Sequence, residues 1–91
     1  MRIVHLEIAG QVQGVGFRHF VRQHANRLAL AGWVRNLSSG NVECTAAGVP
    51  EAVDEFLATV RQGPPGAVVK QVIQLTPPAH PELPNPFTIL K

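Results

Sequence analysis

Across Gly10–Arg18 the hydrophobic pattern changes from the two-residue period of a strand to the roughly 3.6-residue period of a helix, and three glycines fall within those nine residues. Glycine lets the backbone curl until successive N–H groups point inward. The helix start behind the loop adds a partial positive charge. Arg18 stands where that helix begins, and a planar guanidinium can grip two oxygens at once. The combination suits a small anion, phosphate above all. The plainer reading is that the glycines only permit a tight turn and that Arg18 is a solvated helix residue. The loop is not a P-loop, because no Lys-Ser or Lys-Thr follows the last glycine. It is not a dinucleotide fingerprint either, since Gly14-Val15-Gly16 lacks the third glycine.

The rest of the chain fills in around this loop. Residues Arg2 to Ala9 alternate, with Ile3, His5 and Glu7 on one face and Val4, Leu6 and Ile8 on the other. From Phe17 to Leu30 a helix is expected, with Phe17, Phe20, Val21, Ala25 and Leu28 as its apolar stripe and Gly32 as its stop. Trp33–Leu37 and Val42–Ala47 read as strands joined by the turn Ser38-Ser39-Gly40-Asn41. Pro50 opens a second helix whose stripe is Val53, Phe56, Leu57 and Val60, and Gly63-Pro64-Pro65-Gly66 ends it. Ala67–Leu75 is a fourth strand. Five prolines between Thr76 and Pro86 allow only an irregular crossing, and Phe87–Leu90 closes the chain as a short strand. The order β-α-β-β-α-β predicts an α+β, ferredoxin-like split βαβ fold. Its antiparallel sheet carries both helices on one face, with a short extra C-terminal strand.

At 91 residues the chain fits one domain, residues 1–91. No apolar run approaches the length of a membrane span and no signal-peptide block opens the chain, which predicts a cytoplasmic protein without a membrane. The single cysteine, Cys44, forbids an internal disulfide and falls in an alternating apolar run, as expected of a buried, inert thiol. The net charge of +2 is mild and the eight basic residues are scattered, so no nucleic-acid partner is expected. RNA-recognition modules share the layout but stack bases on exposed sheet aromatics. Here three of the four Phe fall on predicted helices and there is no Tyr.

His5, His19, His24 and His80 show no metal-ligand spacing, so no metal and no cofactor is expected. Asp54, Glu51 and Glu55 sit together on the second helix as complements to its dipole. Serines occur only in the turn, and no Ser-His-Asp or Cys-His arrangement can be drawn. Asn36 alternates onto the face of Val34 just before the turn, where an asparagine commonly bonds its own backbone. An anion site with no evident nucleophile, acid or base needs an activated substrate, such as a mixed anhydride of a carboxylic acid and phosphate.

Gly10-Gln11-Val12-Gln13-Gly14-Val15-Gly16-Phe17-Arg18, Gly32-Trp33-Val34-Arg35-Asn36 and Gly40-Asn41-Val42-Glu43 together resemble the acylphosphatases. Gly63-Pro64-Pro65 and Phe87-Thr88-Ile89 extend the likeness over nearly the whole chain. The resemblance implies a small, cofactor-free enzyme that hydrolyses acyl phosphates. By that likeness Arg18 is the phosphate-binding arginine and Asn36 the asparagine that orients the attacking water. The backbone N–H groups of Gln13, Gly14, Val15, Gly16, Phe17 and Arg18 become the phosphate cradle. Gln11, Ser39, Leu90 and the proline-rich crossing depart from the family's pattern without touching Arg18 or Asn36. The expected partner is a small acyl phosphate and the expected state a monomer. The alternative is a non-catalytic module that binds phosphate or carbamoyl phosphate, as in the acylphosphatase-like domains of larger maturation enzymes. With no cysteine-rich zinc segment before Lys91, the stand-alone enzyme is the expectation.

Overall fold

The computed structural model describes residues 1–91. Its elements are β1 (Arg2–Gln11), α1 (Phe17–Arg27), β2 (Ala31–Asn36), β3 (Val42–Gly48), α2 (Pro50–Gln62), β4 (Val68–Leu75) and β5 (Thr88–Ile89). The strands form one sheet in the order β4-β1-β3-β2-β5. β1 pairs antiparallel with β3 and β4, and β2 with β3. The closing strand runs parallel to β2, so the sheet is mixed rather than wholly antiparallel. It is also shorter than expected, because only Thr88 and Ile89 find ladder partners.

The two-residue period of β1 puts Val4, Leu6 and Ile8 into the core, beneath the helices. Val34, Val42, Cys44 and Ala46 join them from β2 and β3. The helices close over this face with Phe17, Val21 and Ala25 of α1 and Val53, Phe56, Leu57 and Val60 of α2, as their stripes predicted. Burying each large apolar side chain contributes about 1.5–3 kcal/mol, so the seam between helices and sheet is the main source of stability. Cys44 is fully buried, and burial pushes its thiol pKa far above the ordinary range.

Two glycines take roles other than those read from sequence. α1 ends at Arg27 and not at Gly32. Ala29 adopts the left-handed conformation at φ 57°, and its N–H donates to Asn26 O while that of Leu30 donates to Ala25 O. This is a Schellman closure with alanine in glycine's usual place. Gly32 instead lies inside β2, where a Cβ would collide with the Thr45 carbonyl oxygen. Gly10 is likewise a strand residue at a register shift in β1, and a Cβ there would meet the Val68 carbonyl oxygen of β4. The loop proper is therefore residues 12–16.

The segment 76–86 has no helix or strand, as the prolines required. It is tied to β2 by the Gly32 N–H, which donates to Pro84 O at 2.9 Å. It runs beside the helix-free side of the sheet, where Pro78, His80 and Pro81 face Trp33, Arg35 and Thr45 across an open cavity of about 220 Å³.

Candidate functional site

The glycine loop is pinned at both ends. Val12 at its start and Phe17 after it are each 1% exposed and belong to the core cluster, and Val15 between them packs against that cluster. Gly14 and Gly16 both stand at φ 75°, and at neither would a Cβ meet any atom within 4 Å. Backbone conformation, not crowding, makes glycine the fitting residue at both positions. Gly16 is the N-cap of α1 and supplies no capping side chain, and the first turn carries no acidic residue. The Gly16 carbonyl accepts from the Phe20 N–H at 3.1 Å, which starts the helix.

The N–H groups of residues 13–18 donate to no acceptor within the protein. Six successive backbone donors thus remain free around a loop with two left-handed glycines, at the positive end of a helix. Arg18 sits in the first turn, half-buried, with no ion pair and no side-chain hydrogen bond. Three of the other five arginines are ion-paired: Arg2 with Asp54, Arg27 with Glu55 and Arg35 with Glu43. Asp54 and Glu55 therefore cross-link α2 to β1 and α1, in addition to any service to the helix dipole.

Asn36 is the last residue of β2, opposite Val42 of β3 and on the same face as Val34. Its side-chain oxygen Oδ1 is buried and has no hydrogen-bond partner, so it does not bond its own backbone. A buried amide oxygen left unpaired costs about 1–3 kcal/mol. His5 Nδ1 and Thr45 Oγ1, on the opposite face of the sheet, are the other two such atoms, and only Asn36 Oδ1 lies on a residue adjoining the turn that the loop touches. The Gln13 side chain joins the two regions, its Nε2 donating to Leu37 O at 2.8 Å and to Asn41 O at 2.9 Å. The fold thereby brings the loop of the first sequence motif against the turn that follows the second. Sequence reading placed Gln13 in the cradle by its backbone only. Its partners lie 24 and 28 residues away, and no local pattern could have announced them.

The donor set (N–H groups, a guanidinium and a neutral amide) is chemically suited to an oxyanion with a polar molecule beside it. No group of three or more His, Cys, Asp and Glu side chains gathers here or elsewhere to hold a metal ion. No helix is long and apolar enough to cross a membrane.

Comparison with known proteins adds independent findings. The family model described as Acylphosphatase matches residues 4–89. An acylphosphatase of Acidiphilium cryptum is 49% identical over 79 residues, covering 85% of this chain and 87% of that protein. The crystal structure of acylphosphatase from Bacillus subtilis superposes with a TM-score of 0.86 at 34% identity, over 100% of both chains. The structure of HypF from T. kodakarensis matches with a TM-score of 0.82 and 32% identity, covering 100% of this chain but 12% of that one.

Proposed function

The chain belongs to the acylphosphatase family, and we infer that its enzymatic work, hydrolysis of an acyl phosphate to a carboxylate and inorganic phosphate, is carried out at the glycine loop. The observation that carries this reading is the run of free N–H donors at residues 13–18 beside an Arg18 that nothing in the protein neutralises. The phosphoryl group sits in the cradle, and the guanidinium of Arg18 takes two of its oxygens. The Asn36 side-chain amide holds a water in line behind phosphorus, its buried oxygen accepting a hydrogen bond.

The new bond forms between the water oxygen and phosphorus while the bond from phosphorus to the carboxylate oxygen breaks. The leaving carboxylate is weakly basic and departs without a proton. The water's proton passes to a phosphate oxygen of the substrate. The protein's contribution is position and stabilisation of charge on the equatorial oxygens, which is most of what phosphoryl transfer requires. The enzyme acts in this reading as a monomer in the cytoplasm, as one domain without nucleic acid. A second reading is a phosphate-binding module without turnover; the chain also matches 12% of a full-length HypF whose crystal structure is of the phosphate- and nucleotide-bound form.

Steady-state hydrolysis of benzoyl phosphate separates the two. Wild-type protein turns over, Arg18→Ala loses both activity and phosphate binding, and Asn36→Ala lowers kcat while phosphate affinity stays within about twofold. Phosphate binding with no hydrolysis of benzoyl phosphate favours the module. Wild-type turnover by Asn36→Ala removes the water-orienting role.

A further inference from the structure

We propose that Gln13 is a positioning residue whose side chain sets the distance between the bound phosphate and the water held by Asn36. The proposal rests on the reading of the site just given. Both hydrogens of the Gln13 amide are used, one on Leu37 O at 2.8 Å and one on Asn41 O at 2.9 Å. Leu37 directly follows Asn36, so one of these bonds grips the backbone beside the water-holding residue. The other closes on Asn41 O, which also accepts from the Leu37 N–H at 2.8 Å. The turn is braced from β1 as well, since Asn41 Nδ2 donates to Glu7 Oε2 at 2.6 Å.

No backbone hydrogen bond joins residues 12–16 to residues 36–41. The loop is anchored into the core through Val12, Val15 and Phe17, and its one hydrogen-bonded link across to the end of β2 is the Gln13 amide. Only a side chain with two hydrogens on one atom, at this reach, can bridge both carbonyls. The consequence for catalysis is steep, because a misplacement of about 1 Å between reacting groups can cost about a hundredfold in rate. Gln13 makes this contribution without touching phosphate through its side chain; its backbone N–H belongs to the cradle, which a side-chain substitution leaves in place.

Gln13→Met keeps the length and packing of the side chain and removes both donors. Its kcat on benzoyl phosphate is expected to fall roughly tenfold to a hundredfold, with inhibition by inorganic phosphate changed by less than about twofold. Gln13→Asn keeps the amide but shortens its reach. It is expected to show the same split, and serves where the methionine variant does not fold. In an Asn36→Ala background the same substitution should cost less than about threefold, because the water that Gln13 helps to place is no longer held. A Gln13→Met enzyme with wild-type kcat and only a lower urea midpoint overturns the proposal, and so does an equal fold-loss in both backgrounds. Wild-type turnover by Asn36→Ala alone strikes the reading of the water itself, and the proposal for Gln13 falls with it. Equal losses in both backgrounds strike Gln13 only.

Discussion

The glycine loop holds a half-buried arginine and the helix-free side of the sheet an exposed one, each among polar groups, and the two have opposite characters. On the sheet, Arg35 Nε donates to Glu43 Oε1 at 2.7 Å, His5 Nε2 donates to Glu43 Oε2 at 2.7 Å, and the Arg35 guanidinium lies 5.4 Å from the centre of the Trp33 ring. Every charge in that cluster is answered from within, although two uncharged atoms there, His5 Nδ1 and Thr45 Oγ1, are buried without a partner, and Thr45 lines the cavity alongside. At the loop there is no comparable cavity, yet six N–H groups and one guanidinium are unanswered. In the proposed reading, binding follows unsatisfied donors and not concavity. Phosphate is small and strongly hydrogen-bonding, and a shallow cradle of fixed dipoles suffices for it.

Substitutions test that contrast. The largest effect is expected for Arg18→Lys, which keeps the charge but loses the fork: kcat/KM on benzoyl phosphate should drop by about a hundredfold or more, with an unchanged melting temperature. Arg35→Lys, the same change on the other arginine, should leave kcat/KM within about twofold. Equal losses in the two variants would dissolve the distinction between answered and unanswered charge.

Next in size is Glu43→Gln, expected to cost about 1–3 kcal/mol in urea unfolding because two donors lose a charged acceptor in a largely buried setting, with turnover retained. The pH dependence carries a definite sign. Burial opposes the charged Glu43 carboxylate, but hydrogen bonds and charge from His5 and Arg35 outweigh it and hold its pKa below the ordinary value of 4.5. A carboxylate depressed in the folded state stabilises fully above its unfolded pKa and loses that contribution as pH falls through the folded one. The stability gap between wild type and Glu43→Gln should therefore be constant near neutral pH and shrink below about pH 4.5. A gap that widens with acid contradicts this assignment.

The smallest effect is the absence of one. Cys44 is buried and its thiol pKa is raised by burial and by the neighbouring Glu43 charge, so a thiol reagent should leave the native enzyme unlabelled and label it only on unfolding. Labelling at native rates would mean that the core under the site opens readily.

Much of the fold was legible in the sequence because it is written in local periods. The alternation of Val4, Leu6 and Ile8 and the stripe Val53, Phe56, Leu57 and Val60 each fixed an element and its buried face. The points of difference have one origin. Gly10 and Gly32 look like loop and stop signals locally, but each is required by a carbonyl on a neighbouring strand. Ala29 closes α1 in a conformation that propensity assigns to glycine. The parallel pairing of β5 with β2 depends on where the proline-rich crossing delivers the chain.

The candidate site divides the same way. The sequence by itself determined the loop and the arginine at its mouth, which follow from residue type and periodicity, while Asn36 stood out only through the resemblance to the acylphosphatases. Only the tertiary structure decided that Arg18 keeps no partner while Arg35 does, that the Asn36 oxygen is buried and unpaired, and that Gln13 ties the loop to the Leu37–Asn41 turn. Periodicity is a property of neighbours along the chain. Satisfaction of a charge or a hydrogen bond depends on groups brought close from far along it, and those meet only when the sheet assembles.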